Sequence, residues 1–230
     1  MGLVIQDVLR VSRSKAQAKA SYDKMSRYYD YISGFFEQKY RDLALKRLNV
    51  QRGEIVMEMG FGTGHCLKQI AVSIGEEGKV FGIDISAGML DVSRRRLSRT
   101  GLLNRVELVC GDALKMPYEE NKFDAVFSSF NLELFDTPEI PQVLAEIMRV
   151  LKPKGRFGVI SMSKGNEDSP LQKLYEWLHK KIPQYVDCRP IYVEKSIADA
   201  GFEIQFTERV NIFGLSGEII ICTKPNCSRT

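Results

Sequence analysis

The chain has 230 residues, long enough for one α/β domain, and its net charge of +4 and 44% hydrophobic residues are typical of an ordinary globular protein. No apolar run is long enough to cross a membrane, and the N-terminus lacks the charged-then-apolar pattern of a secretory signal. Two histidines and five cysteines without a C-x-x-C pair argue against a metal site. We therefore expect no metal, reduced thiols, a cytoplasmic location and, given the mild charge, no nucleic-acid partner.

The first fifty residues combine apolar, basic and aromatic side chains. Residues 1–20 carry several valines and leucines followed by basic residues, a pattern typical of an amphipathic helix. Such a helix can rest on a membrane surface, pack on its own domain, or pack on a second subunit in a homodimer. Residues 21–50 hold seven aromatic side chains and predict a helical cover over a sheet. We interpret residues 1–50 as an N-terminal cap or lid.

A glycine-rich turn follows this segment. Residues 55–57 are apolar and of strand type, Glu58 follows them, and three glycines alternate at Gly60, Gly62 and Gly64. Apolar residues then recur at helical spacing. Strand, glycine turn and helix is the arrangement in which a nucleotide-like ligand lies against a helix N-terminus. We expect Glu58 to hold a cationic or hydroxyl-bearing part of that ligand.

A second strand, over residues 79–83, ends at Asp84. A carboxylate at the tip of a second strand can accept hydrogen bonds from both hydroxyls of a ribose. Ile85 and Met89 beside it offer an apolar wall for a purine. A helix is predicted over residues 86–99.

Three further strands follow at comparable spacing. Residues 106–110 precede Asp112 and Ala113, residues 123–127 end at Ser128, and residues 155–160 come after a predicted turn. A helix is expected between the last two of these strands. Two more strands close the chain, at residues 202–209 and 218–224.

The G-x-G-x-G turn, the acidic residues after successive strands and their order resemble class I S-adenosyl-L-methionine (SAM) dependent methyltransferases over roughly residues 20–163. The resemblance implies a Rossmann-like fold of seven strands, six parallel and one antiparallel, with helices on both faces. It implies SAM as the cofactor and a SAM-binding domain over residues 51–230, joined to the cap as one structural unit. A helical insertion is expected near residues 166–190.

The resemblance also assigns roles to residues. The segment from Gly111 to Pro117 matches the family motif whose acidic residue, here Asp112, meets the adenine amino group. The Y-D…Y-D segment resembles that of ubiquinone and menaquinone methyltransferases, which implies that Tyr22 and Tyr29 close over the cofactor. Glu58, Ala113 and Ser128 complete the predicted cofactor contacts.

The loop after the fourth strand lies beside the reactive methyl group in this family. Asn131 and Glu133 are therefore the candidates for orienting the acceptor or taking a proton, and the alternative for Glu133 is a charged loop residue facing solvent. Quinone-methylating enzymes carry G-L-R-N-V here, whereas this chain has Asn-Leu-Glu-Leu-Phe. A quinone-like ring carbon, a lipid amine or a small soluble metabolite can be the acceptor, and a non-catalytic SAM-binding protein is the alternative of another class.

The stretch from 169 to 183 is amphipathic and aromatic, and includes Leu174, Tyr175 and Trp177. It lies where this fold inserts substrate-specific structure. Packing against the sheet is the competing interpretation.

Overall fold

The computed structural model describes residues 8–11, 13–26, 35–164, 174, 175, 177, 179, 181, 188–212 and 214–226. Its sheet has seven strands in the order β3-β2-β1-β4-β5-β7-β6. The strands are β1 (Ile55–Met59), β2 (Lys79–Asp84), β3 (Val106–Cys110), β4 (Phe123–Ser129), β5 (Leu151–Met162), β6 (Glu203–Ile212) and β7 (Leu215–Thr223). The helices are α1 (Lys15–Met25), α2 (Phe35–Leu48), α3 (His65–Ser73), α4 (Ala87–Arg99), α5 (Ile140–Val150) and α6 (Val193–Asp199).

The pairing of the strands confirms the predicted fold class. β1 to β5 pair with one another in parallel, and β7 is antiparallel to both β5 and β6. Six strands therefore run in one direction and β7 runs in the other. The fifth strand starts earlier than predicted, because Leu151 already pairs with Phe123 and the register shifts only before Arg156.

Two apolar layers cover the sheet, one on each face. Val56 belongs to the layer packed under α2, α3 and α4, whereas the next residue, Met57, belongs to the layer packed under α5 and α6. Side chains alternate across a strand, so adjacent apolar residues in β1 supply both layers. This burial on both faces explains why the parallel strands read as continuous apolar runs.

The N-terminal segment packs on its own domain where the structure describes it. α1 begins at Lys15 behind a capping box of Ser14 and Gln17 instead of extending over residues 1–20. Val8 is 9% exposed within the core, and Arg10 pairs with Asp136 at 2.6 Å. Residues 1–7 lie outside the described part of the chain.

The loop after β4 is fixed to β5 by a buried carboxyl group. Glu133 is 0% exposed, and its carboxyl oxygens accept hydrogen bonds from the Ser161 hydroxyl at 2.8 Å and the Met162 N–H at 3.1 Å. The interpretation of Glu133 as a solvent-facing loop residue is therefore wrong. Burial raises the pKa of Glu133 from 4.5 to about 7, against the opposing effect of these hydrogen bonds.

This shift makes the stability contribution of Glu133 depend on pH. A carboxyl group whose pKa is raised by folding favours the folded state while it is protonated, and that stabilisation is lost as pH rises through the pKa of the folded state. The window runs from pH 4.5 to about 7. At 1.36 kcal/mol per pKa unit, the free energy of unfolding of the wild type falls across this window by up to about 3 kcal/mol relative to a variant with a neutral side chain.

We predict that Glu133→Gln removes this loss, because the amide keeps the shape of the carboxylic acid and does not ionise. Urea unfolding of both proteins at pH 5 and pH 8 measures the free energies of unfolding, and the variant should gain on wild type at the higher pH. Glu119→Gln, at an exposed position, serves as the control for the substitution. Parallel pH dependence of wild type and Glu133→Gln would contradict the prediction.

Candidate cofactor and acceptor site

A cleft opens at the carboxyl ends of β1, β2 and β3 and is covered on one side by α1. Parallel strands place their carboxyl ends along one edge, which is where ligands bind in open α/β sheets. The predicted site residues that line it are Tyr22, Glu58, Gly60, Gly62, Asp84, Ile85, Met89, Asp112, Ala113 and Asn131. The cleft thus brings together residues that are 109 positions apart in the sequence, from Tyr22 to Asn131.

The glycine turn passes directly under this cleft. Gly60, Gly62 and Gly64 all have positive φ angles, of 71°, 51° and 80°. A Cβ on Gly60 would lie 2.3 Å from the Asn131 side chain, so only glycine permits this approach. A Cβ on Gly62 would meet no atom within 4 Å, which leaves open space above the turn. Gly64 is the N-cap of α3 and does not itself line the cleft among the described residues.

Asp84 is held in place by backbone donors at the tip of β2. Its two carboxyl oxygens accept hydrogen bonds from the N–H groups of Gly62 and Ser86, both at 2.9 Å. Burial raises the pKa of Asp84, opposed by these hydrogen bonds. Because each carboxyl oxygen has a second acceptor position, Asp84 can still receive hydrogen bonds from a ligand in the cleft.

Glu58 is the most enclosed carboxyl group of the cleft. It is 1% exposed, and its Oε2 has no hydrogen-bond partner among the residues that the structure describes. Burial raises the pKa of Glu58 well above its usual value, and nearby Arg41 opposes that shift. A buried acceptor without a partner is costly, so this position fits a ligand that brings a cation or a donor.

Arg41 is a site residue that the sequence did not reveal. It projects from α2, is 8% exposed and lines the same cleft as Glu58. Its guanidinium donates to Glu37 and lies 5.9 Å from the centre of the Phe130 ring. The sequence does not distinguish Arg41 from the other basic residues of α2. Only the packing of α2 on the sheet places its side chain in the cleft.

Helix α1 covers the cleft through polar contacts at both of its ends. Lys15 at its start pairs with Asp112 at 2.6 Å and with Glu139 at 3.1 Å. Near its end, Asp23 accepts hydrogen bonds from the Ser86 hydroxyl at 2.6 Å and the Gly88 N–H at 2.9 Å. Asp23 therefore supplies an acceptor to the N-terminus of α4.

The contact between α1 and α4 depends on a second glycine. A Cβ on Gly88 would lie 3.0 Å from the Cα and the carbonyl oxygen of Asp23, which is closer than backbone atoms allow without a shift. Tyr22, next to Asp23, lines the cleft as the lid hypothesis requires. The other predicted lid residue, Tyr29, lies outside the described residues.

Two predicted contacts fall elsewhere. Ser128 is buried at the end of β4, and the adjacent Ser129 lines the cleft instead, because neighbouring side chains of a strand point to opposite faces. Glu133 is likewise absent from the lining among the described residues, since its carboxyl group is turned toward β5. Ser129 therefore replaces Ser128 as the candidate contact. Asn131 is the polar side chain that the loop after β4 (residues 130–136, called here the acceptor loop) presents to the cleft.

No group of three or more His, Cys, Asp or Glu side chains in the described part of the chain is placed to hold a metal ion. None of the described helices has the length and apolar character needed to cross a membrane.

Comparisons with known proteins agree with this geometry. A profile of the methyltransferase domain matches residues 56–155. The chain is 37% identical to a demethylmenaquinone methyltransferase of Oceanobacillus iheyensis over 144 residues, or 63% of this chain and 58% of that protein. The chain thus aligns with about three fifths of the length of this curated relative.

Solved structures share the fold at lower identity. The [4+2]-cyclase SpnF superposes with a TM-score of 0.75 at 20% identity, covering 94% of this chain and 99% of that one. A SAM-dependent methyltransferase from Aquifex aeolicus superposes with a TM-score of 0.62 at 22% identity, covering 89% and 97%. With the matched profile and the cleft at the strand ends, these findings show that the chain carries a class I SAM-dependent methyltransferase domain.

Proposed function

We propose that this protein binds SAM in the described cleft and transfers its methyl group to a hydrophobic or amphiphilic acceptor, either a quinone-like ring carbon or a lipid amine. The observation that carries the proposal is the convergence of Glu58, Asp84 and Asp112, from the ends of three adjacent strands, on one cleft above a glycine turn. When bound, SAM supplies a methyl group activated by a positively charged sulfur.

The amino-acid end of SAM matches the charges at the tip of β1. Its ammonium group fits the buried Glu58 oxygen that has no hydrogen-bond partner among the described residues, and its carboxylate fits the guanidinium of Arg41. The open space above Gly62 leaves room for the ligand to lie directly on the turn. The residues present therefore fit this cofactor.

The nucleoside end matches the tips of β2 and β3. Asp84, held by two backbone donors, can accept hydrogen bonds from the ribose hydroxyls, while Ile85 and Met89 supply apolar surface for the adenine ring. Asp112 is the acceptor for the adenine amino group. In the structure it also binds Lys15, so the adenine would share this carboxylate with α1.

The acceptor side of the cleft is largely apolar. Phe130, Leu134 and Phe135 of the loop after β4 line it together with Asn131 and Ser129. Burial of an apolar acceptor against such residues is favourable by about 25 cal/mol per Å² of apolar surface. This lining, and the similarity to proteins named demethylmenaquinone methyltransferases, support a quinone-like acceptor over a small polar metabolite.

Asn131 is the candidate for orienting the acceptor. Its side chain packs over Gly60, and its Oδ1 is buried without a hydrogen-bond partner among the described residues. A carboxamide cannot act as a base at neutral pH, so its role is to hold a hydroxyl or amine in line with the methyl group. Glu133 lies behind this loop and is proposed to position it rather than to take the proton.

The cofactor assignment predicts that Asp84→Ala weakens SAM binding by about tenfold or more, because hydrogen bonds to a charged acceptor are lost. Isothermal titration with SAM measures the affinity, and a thermal melt verifies that the variant is folded. Asp91→Ala, an exposed position on α4, is the matched control and should bind as wild type does. Equal affinity of Asp84→Ala and wild type would refute the ribose assignment.

The acceptor assignment predicts that labelled methyl passes from SAM into a quinone or phospholipid band of a lipid extract from the source cells. Asn131→Ala should lower kcat strongly while SAM affinity changes little, because the side chain acts on the acceptor. Chromatography and mass spectrometry identify the product. Label in the soluble fraction alone would contradict the lipid-like acceptor and indicate a soluble metabolite. SAM binding without any methyl transfer would favour a non-catalytic SAM-binding protein.

A further inference from the structure

An exposed apolar surface lies in the segment between β5 and α6. Residues 174, 175, 177, 179 and 181 are helical in the structure. Leu174 is 52% exposed and Trp177 is 54% exposed, whereas His179 is buried and Tyr175 is half-buried. Large apolar side chains in this segment thus face solvent, so the interpretation of the stretch as core packing is wrong for Leu174 and Trp177.

Helical geometry places the exposed side chains together. At 100° per residue, Leu174, Trp177 and Lys181 fall within about 60° of one another around the helix axis. Tyr175 and His179 fall on the opposite side, in agreement with their burial. We call the set formed by Leu174, Trp177 and Lys181 the Trp177 face.

We propose that the Trp177 face docks on the surface of a membrane that contains anionic lipids. Tryptophan and lysine suit a bilayer interface, because the indole ring and the lysine stem enter the apolar boundary while the polar ends stay hydrated. Residues 173–181 carry three lysines and one glutamate, so the segment has the charge that anionic headgroups attract. The net charge of the chain, +4, has the same sign.

The N-terminal segment is a weaker candidate for this contact. Arg10, Lys15 and Lys19 pair with Asp136, Asp112 and Asp23 respectively, so these basic side chains are engaged within the domain. The membrane contact predicted for residues 1–20 is therefore proposed for the Trp177 face instead.

The attachment points of the segment connect this surface with the cleft. Lys164 follows the carboxyl end of β5, and Arg189, on the other side of the segment, donates to the carbonyl of Phe135 and, at 3.3 Å, to the Thr137 hydroxyl. Phe135 lines the acceptor side of the cleft. A membrane bound to the Trp177 face would thus be linked through Arg189 to the loop that receives the acceptor.

Trp177 is the only tryptophan in the chain, so its fluorescence reports directly on this surface. The experiment adds vesicles of phosphatidylglycerol and phosphatidylcholine, or of phosphatidylcholine alone, to the 230-residue chain without SAM. We expect a blue shift with the anionic vesicles that weakens as salt is added, and a much smaller shift with the neutral ones. The docking proposal is tested here independently of methyl transfer, because neither cofactor nor acceptor is present.

Variants separate this surface from nonspecific adsorption. Leu174→Ser keeps the tryptophan and should weaken vesicle binding by about tenfold, since a leucine side chain no longer enters the apolar boundary. Lys181→Glu should weaken it on anionic vesicles only. Val72→Ser, at a valine of α3 that is 60% exposed, is the matched control and should bind as wild type does.

Three outcomes would overturn the proposal. The first is the absence of both a fluorescence shift and co-sedimentation with anionic vesicles, in protein that still binds SAM. The second is an equal loss of binding in Leu174→Ser and Val72→Ser. The third is that the wild type is a dimer in sedimentation equilibrium and does not bind vesicles, whereas Leu174→Ser is a monomer. The Trp177 face would then be an interface between two copies of the chain.

Discussion

The site depends on the hydrogen bond by which the Gly62 N–H donates to the carboxylate of Asp84. It ties the turn after β1 to the tip of β2, two segments that are 22 residues apart in sequence. Helix α4 secures the same turn from the other side, since the Ser93 hydroxyl donates to the Gly62 carbonyl at 2.8 Å and Arg96 donates to the Thr63 carbonyl at 2.7 Å. These hydrogen bonds hold the glycine turn in place although three of its five residues lack side chains, and they fix the floor of the cleft.

The strands and the carboxyl groups at their tips were predictable because both follow from local pattern. Buried parallel strands read as apolar runs, and polar residues directly after them must lie at one edge of the sheet. The acceptor loop was not predictable in the same way. Phe130 adopts a φ of 49°, in the left-handed region, and after it the Asn131 side chain lies against Gly60 while Glu133 turns toward β5. No spacing rule gives the direction of side chains after such a residue.

Helix α1 makes the cofactor side and the N-terminus interdependent. Asp23 caps α4, whose first turn lies beside Asp84, and Lys15 binds Asp112 at the tip of β3. Burial raises the pKa of Asp23, but the hydrogen bonds from Ser86 and Gly88 and the contact with Lys19 leave it below its usual value. The Asp23 carboxylate is therefore ionised at neutral pH, and the N-terminus of α4 stabilises its negative charge. The sequence predicted a lid. It could not predict these contacts, because they depend on how α1 and α4 are placed relative to each other.

The buried charges explain why the two halves of the site behave differently. Behind the acceptor loop, Glu133 accepts two hydrogen bonds from β5 and Arg189 donates to the Phe135 carbonyl, so these groups are used to hold the backbone. Burial lowers the pKa of Arg189 to about 10, which still leaves it charged at neutral pH.

Glu58 differs, because one of its oxygens has no partner in the described chain although it is just as deeply buried. A protein rarely keeps such an acceptor without a use. A ligand that carries a cation would both satisfy this oxygen and favour its ionised form, whereas an anion there would be repelled. We therefore propose that the tip of β1 favours the ammonium end of an amino acid, and that Arg41, which lines the same cleft, takes the carboxylate.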